Sequence, residues 1–227
     1  MEKNNNLSSN FKKAANDYYY LLGKSYPKKA TLKLISDKYR LSCLERSVML
    51  RGIVGKKTAN ERKKKILLEE NIINKILLID CYNVLITVNS YLNGKFLYIA
   101  NDGFLRDAAE THGKLSKSDL IEKALILLFK YINTIKVKEV NIYIDSPVSY
   151  SKEFSNKISK LFNEYKINGK NFVVKSADYY LINSSDGICS TSDSTIIDNR
   201  DEVFDLAFYI LKYHFNPDFI FINRYFK

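Results

Sequence analysis

The sequence predicts an α/β protein, with a small all-helical basic segment followed by a three-layer domain built on a mainly parallel sheet. Three observations carry this. From residue 76 onward, short continuous apolar runs recur, each of the kind that forms a strand buried on both faces. Most of these runs are separated by helical stretches of about 10–15 residues, the spacing of right-handed crossovers between parallel strands. Charge is also divided along the chain. The 227 residues carry a formal net charge of +11, yet residues 1–75 hold 18 Lys and Arg against 7 Asp and Glu, and residues 76–227 hold 18 of each. A basic module usually meets polyanions, either nucleic acid or an acidic membrane surface. The expected division is a basic helical domain over residues 1–74, contacting nucleic acid, and an α/β domain over 75–227.

The elements follow in order. Phe11, Ala14, Ala15, Tyr18, Leu21 and Leu22 recur at three- and four-residue steps, which predicts an amphipathic helix ended by Gly23. After Pro27, residues 28–39 repeat the pattern with Ala30, Leu34 and Ile35 inward. Ser42-Cys-Leu-Glu45 has the form of a capping box and predicts a third helix running to Val54. A fourth is expected from about Asn60 to Asn71. Strand-like runs then lie at Ile76–Ile79, Phe96–Ala100, Val140–Ile144, Phe172–Val174, Gly187–Cys189 and Phe219–Ile222. Helical patterns cover Ser116–Tyr131, Ser151–Tyr165 and Glu202–Tyr213.

Composition excludes several classes. No apolar run approaches the roughly 20 residues that span a bilayer, and the N-terminus has no apolar stretch behind its charges, unlike a signal peptide. Three cysteines, Cys43, Cys81 and Cys189, are widely spaced and include no C-x-x-C pair. A zinc site or disulfide framework is therefore not expected. The reading is a reduced, cytoplasmic protein with no membrane partner.

In an open parallel sheet, ligands bind beyond the carboxyl ends of the strands. Four of the runs place a carboxylate there: Asp80 after Ile79, Asp145 after Ile144, Asp178 just past Phe172–Val174, and Asp193 just past Cys189. Converging carboxylates repel and raise one another's pKa, and a hard divalent cation such as Mg²⁺ or Mn²⁺ is the usual means of holding them ionised. Such a site suits phosphodiester hydrolysis, with the basic segment holding phosphates. Each acid also has a simpler explanation as a turn former or helix cap. Asp80 is the exception, because a carboxylate directly behind four aliphatics, with Asn83 three residues on, is poorly explained by turn chemistry.

Ile79-Asp-Cys-Tyr-Asn-Val-Leu85 resembles the opening strand of PIN-like nucleases, in particular the NYN branch, where Asp-Gly-Tyr-Asn is typical. Asp145 closing a central strand, Asp178-Tyr-Tyr-Leu opening a short helix, and Thr191-Ser-Asp193 as a late Thr-x-Asp element fit the same order over residues 76–225. The whole chain also resembles an uncharacterised, largely archaeal prokaryotic family of two domains of unknown function, through Asn101-Asp-Gly-Phe-Leu-Arg-Asp107, Asp145-Ser-Pro-Val-Ser149 and Thr191-Ser-Asp-Ser194. The resemblance implies a PIN-like three-layer fold and a metal-dependent endoribonuclease that sometimes pairs as a homodimer. Asp80, Asp145, Asp178 and Asp193 would hold Mg²⁺ or Mn²⁺ and orient water, with Asn83 supporting Asp80 or touching RNA. Cys81 departs from the small Gly of NYN proteins. No Glu is placed to complete the acidic set, so Asp102 or Asp107 is the further candidate ligand. The alternative is a non-catalytic RNA-binding or adaptor protein on the same scaffold.

Asp102-Gly103 reads as a tight turn, while Arg106 beside it is a candidate phosphate ligand. Ser149 and its neighbours precede a helix whose N-terminus would favour phosphate. His112 and His214 stand isolated and receive no catalytic role. In the basic segment, Tyr18–Tyr20, Tyr26 and Tyr39 alternate with lysines, a pattern that suits single-stranded nucleic acid but is explained for most of them by core packing. Arg46 and Arg51 are the candidates for specific contacts, and Arg62-Lys-Lys-Lys65 reads as an exposed helix surface.

Overall fold

The computed structural model describes residues 7–108, 119–146 and 151–227. In chain order its elements begin with α1 (Ser9–Gly23), α2 (Lys28–Lys38), α3 (Cys43–Gly52) and α4 (Lys56–Lys64). Next come β1 (Ile76–Asp80), α5 (Cys81–Leu92), β2 (Leu97–Ile99), β3 (Leu105–Asp107), α6 (Asp119–Ile132), β4 (Glu139–Asp145) and α7 (Ser151–Glu164). The chain closes with β5 (Gly169–Val174), α8 (Ala177–Asn183), β6 (Ile188–Ser190), α9 (Ser194–Asn199), β7 (Val203–Phe204), α10 (Leu206–Phe215) and β8 (Ile220–Phe221).

The chain forms two compact units. One gathers Met1–Lys64, Gly94–Glu110 and Asp218–Lys227, and the other gathers Lys65–Asn93 and Thr111–Pro217. The first unit therefore draws in two segments from beyond the expected boundary at residue 75. The charge division follows the units all the same, with 20 Lys and Arg against 9 Asp and Glu in the first and 16 of each in the second.

In the first unit, Phe11, Ala14, Ala15 and Tyr18 of α1 are fully buried, as their spacing predicts. The second helix differs. Leu34 is 62% exposed, and the inward face is Thr31, Ile35 and Ser36. Thr31 and Ile35 are one turn apart, so this pair rather than Ala30 and Leu34 sets the face. Ser42 forms the expected capping box: its Oγ accepts from Glu45 N at 3.2 Å, and Glu45 Oε2 accepts from Ser42 N at 3.0 Å. Glu45 Oε1 also accepts from Ser8 N at 3.0 Å, so one carboxylate serves the starts of α1 and α3. Ser42→Ala is expected to cost about 1 kcal/mol, measurable as a lowered urea midpoint with unchanged slope.

The runs at Phe96–Ala100 and Phe219–Ile222 do not join the large sheet. They supply β2 and β8 of a separate three-stranded sheet, in the order β3-β2-β8, with β2 antiparallel to β3. For β2 the turn that follows it is local. Gly103 N donates to Ala100 O at 2.9 Å, and Gly103 sits at φ 92°, closing β2 onto β3 through the expected tight turn. The hairpin then packs Phe96, Tyr98 and Ala100 into one core with α1 and α3.

The second unit is a five-stranded, wholly parallel sheet in the order β5-β4-β1-β6-β7. Leu78 and Cys189 on one face pack against Ala177, Leu181 and Ile196 of α8 and α9. On the other face α7 covers β5, where Asn171 Nδ2 donates to Ser155 O at 2.9 Å. Helices thus lie on both faces, the three-layer arrangement predicted. The expected fourth helix stops at Lys64, because Ile66 bridges to Val203 and Lys65 O accepts from Val203 N at 2.8 Å. For the same reason Val203–Phe204 is strand, and α10 starts only after Asp205, whose side chain accepts from Phe208 N. Helix α5 begins directly at Cys81 and adds a helix to those expected from the sequence. Among the described residues no helix is long and apolar enough to cross a membrane.

Candidate functional site

From β1 the chain passes to β4 and β5 on one side, then returns to β6 on the other side of β1. The strand order reverses between β1 and β6, and a crevice at such a point is where open α/β sheets bind ligands. Asp80 is the last residue of β1 and Asp145 the last of β4. Asp178 lies in the first turn of α8, and Asp193 caps α9 after β6. Charge repulsion links these four carboxylates in pairs. Asp178 and Asp193 both act on Asp80, and Asp193 and Asp145 both act on Asp178.

Turn chemistry, a poor explanation of Asp80 from the sequence, is present in the structure. Asp80 is the N-cap of α5, its Oδ1 accepting from Asn83 N at 3.4 Å. Capping uses one oxygen only. Asp80 Oδ2 accepts from Thr191 Oγ1 at 2.9 Å across 111 residues of sequence. Thr191 Oγ1 in turn accepts from Asp193 N at 3.0 Å. The Asn83 side chain holds the same loop, its Oδ1 accepting from Ser192 N at 2.8 Å and Ser192 Oγ at 3.1 Å. Asn83 therefore supports the crevice by tying the start of α5 to the loop after β6. Asp145 Oδ1 accepts from Ala177 N at 2.8 Å, and Asp193 Oδ1 from Thr195 N at 2.7 Å. Ser176, rather than Asp178, caps α8.

Burial dominates the electrostatics. Asp80 is 5% exposed, and desolvation pushes its carboxyl up to about 7; Thr191 opposes this, while Asp178 and Asp193 add to it. Asp178 is raised too, first by burial and then by Asp193 and Asp145. Burial and the nearby Asp80 and Asp145 push the Cys81 thiol well up, so it is a neutral packing group. Cys43, Cys81 and Cys189 are all free thiols.

The remaining candidates fall elsewhere. Asp102, the further candidate ligand, belongs to the first unit and is fully buried between two guanidinium groups. Arg106 grips both its oxygens, at 2.9 and 2.8 Å, and Arg62 Nη1 donates to Oδ2 at 2.9 Å. Burial pushes Asp102 up, but Arg106 and then Arg62 override it and hold the carboxyl below its ordinary value. Its lone pairs are taken by these cations, so it is an ion-cluster anion rather than a metal ligand. Arg106, 4% exposed and also donating to Arg51 O at 2.8 Å, is not presented to a phosphate. Arg62, expected on an exposed surface, is 6% exposed, because Ala59 and Arg62 form the buried face of α4. Arg51 pairs with Asp107 at 2.9 Å, which removes Asp107 as a ligand candidate as well. Arg46 pairs with Asp37 at 3.2 Å and stays 42% exposed. Ser149 and His112 lie outside the described residues. His214 Nε2 meets Leu127 O at 2.9 Å, a structural contact. In the basic unit Tyr18 is buried, whereas Tyr20 and Tyr26 are exposed, Tyr20 beneath the Lys24 ammonium at 5.6 Å.

Among the described residues no three His, Cys, Asp or Glu side chains are gathered closely enough to hold a metal ion together. Asp145 and Asp193 each turn one oxygen to a backbone N–H instead. The donor chemistry nevertheless fits a hard cation. All four groups are carboxylates, and among the described residues none is paired with Lys or Arg. The most buried of them, Asp80, bears a desolvation cost that a cation would offset.

Comparison with known proteins gives two family matches that divide the sequence. Residues 10–65 match a family described as "Protein of unknown function (DUF434)" and residues 69–209 one described as "Domain of unknown function (DUF5616)". The uncharacterized protein MJ0935 of Methanocaldococcus jannaschii is 31% identical over 203 residues, which is 88% of this chain and 96% of that protein. No solved structure matches.

Proposed function

The chain belongs to the DUF5616 family, and from the crevice this family's segment contains we propose that it is a metal-dependent endoribonuclease with a PIN-like, NYN-type domain. The single observation that carries this is that Asp80, Asp145, Asp178 and Asp193 stand at or just past strand ends around the switch point of a parallel sheet, with neighbouring carboxylates raising Asp80 and Asp178 and no Lys or Arg paired to any of the four among the described residues. Asp80, Asp145, Asp178 and Asp193 would hold Mg²⁺ or Mn²⁺ once their side chains draw in around it, and the ion would supply positive charge to a phosphoryl oxygen and acidify a water. The chain's own residues do the rest. Thr191 fixes Asp80 through Oδ2, and Asn83 fixes the loop that carries Thr191 and Asp193. Asp178, an exposed residue whose carboxyl is raised first by burial and then by Asp193 and Asp145, takes the proton of the attacking water. The water oxygen bonds to phosphorus in line with the leaving ribose oxygen, the P–O bond to that oxygen breaks, and the leaving oxygen takes a proton from a solvent water.

RNA is the substrate this reading assigns, with the excess of Lys and Arg in the first unit neutralising its phosphates. The setting is cytoplasmic, consistent with three free thiols. The test is incubation of purified protein with labelled RNA. Cleavage is expected with Mg²⁺ or Mn²⁺, and it is expected to stop with EDTA. Asp145→Asn should lower the rate by about a hundredfold or more. Cleavage that survives both EDTA and Asp145→Asn would place the chemistry elsewhere, and RNA binding with no cleavage under any divalent metal would leave an adaptor.

A further inference from the structure

Beside the crevice, on the same face of the sheet, three aromatic rings form a ladder. Tyr143 stands in the middle, with Phe172 on one side at 5.3 Å between centroids and 24° between planes. On the other side is Tyr180, at 6.1 Å and 22°. The outer rings are not covered: Phe172 remains 39% exposed and Tyr180 46%. Tyr179, 64% exposed, meets Tyr180 edge-on at 5.7 Å and 87°. An isolated exposed apolar ring is ordinary, but a stacked and oriented group of them is a binding surface.

Its place in the fold says for what. Parallel pairing sets Asn141 beside Lys170, Tyr143 beside Phe172 and Asp145 beside Val174. Alternate residues share a face, so exposed Lys170, then Phe172 with Tyr143, then Asp145 form one track running to the strand ends. The step from Tyr143 to Asp145 is about 7 Å at the rise of a strand, the scale of one extended nucleotide. Tyr179 and Tyr180 directly follow Asp178 in α8, and exposed Lys175 lies at the end of β5. Flat rings flanked by cations and ending at a carboxylate crevice match the chemistry of a single strand, whose bases stack while its phosphates meet lysines.

We propose that Phe172 and Tyr180 are a stacking platform for unpaired bases of single-stranded RNA next to the bond cleaved, with Lys170 and Lys175 contacting the adjoining phosphates. This rests on the nuclease reading for the position of the bond, while the stacking itself is measured separately.

The experiment is fluorescence anisotropy of labelled oligouridylate with the full chain in EDTA, where no cleavage occurs. Phe172→Leu and Tyr180→Leu keep apolar bulk but lose the flat ring. Each is expected to weaken binding about 5- to 100-fold, and Phe172→Trp is expected to retain it. Affinity unchanged in both leucine variants overturns the platform. So does a loss in Phe172→Trp equal to that in Phe172→Leu. Size-exclusion chromatography that shows Phe172→Leu dissociating a dimer with RNA affinity intact overturns it as well, and assigns the patch to a second copy of the chain. Ring-dependent binding in a wild-type protein that cuts nothing with Mn²⁺ would sink the nuclease reading and leave the platform standing. Metal-dependent cleavage with ring-independent binding would do the reverse.

Discussion

Asp80→Asn is expected to abolish metal-dependent RNA cleavage and, in EDTA at pH 8, to make the protein more stable than the wild type. The two effects have one cause. Folding carries the Asp80 carboxyl from an ordinary value of 3.8 up to about 7, chiefly by burial. The folded state therefore binds this proton more tightly than the unfolded chain does. The stability linked to it is fully present below about pH 4 and is lost as pH rises through about 7. By pH 8 the metal-free protein has lost up to about 4 kcal/mol by this route, an order-of-magnitude figure. Asn removes the charge and is itself a good N-cap, so it keeps the start of α5. Urea unfolding in EDTA at pH 5 and pH 8 measures this: the wild type should lose stability between the two, and Asp80→Asn should not. Mn²⁺ should flatten the wild-type slope, since a ligand bound only by the folded state adds stability. A wild type as stable at pH 8 as at pH 5 without metal would show that Asp80 is not the buried, cation-seeking group described above.

Asp102→Asn is expected to have the largest effect on the stability of the basic unit, about 3–5 kcal/mol of destabilisation. Arg106 and Arg62 are 4% and 6% exposed, and Asp102 is their shared anion. Asn keeps the shape but takes the Asp102 charge away from two buried guanidinium groups and turns an amide N–H₂ toward their donors. Because the folded carboxyl is held below 3.8, the stability it contributes is present above about pH 4 and lost as pH falls through that lowered value. Replacing Arg62, Asp102 and Arg106 together by apolar residues of similar volume should recover most of the loss, since a buried ion cluster is costly to break but not costly to replace. Urea midpoints for the single and triple variants give both numbers. A single-variant change under about 1 kcal/mol would mean that water reaches these guanidinium groups.

Where local rules govern, the sequence was readable. The Ser42–Glu45 capping box, the Asp102-Gly103 turn and the buried stripe of α1 each depend on residues within one or two helical turns, and each formed as read. The runs at Ile76–Ile79 and Val140–Ile144 were legible because a parallel strand covered on both faces must be continuously apolar. The acids at the ends of four strands were visible as residue types at strand ends. What misled was pairing. Phe96–Ala100 and Phe219–Ile222 are as apolar as the central strands, and nothing within them says that they belong to another sheet. Arg62 sits among Lys63, Lys64 and Lys65, and only the position of Asp102, 40 residues on, pulls it inward.

The sequence by itself determined the fold class, the capped start of α3, the separation of charge and the strand-end carboxylates, because propensity, periodicity and burial act on neighbouring residues. Tertiary structure alone decided which carboxylates lie near one another and which are claimed by arginines. Asp80 and Asp102 each follow a short apolar run in the sequence, yet one meets Thr191 and two more carboxylates while the other meets two guanidinium groups. Coulomb energy depends on distance in space, and strand order sets that distance.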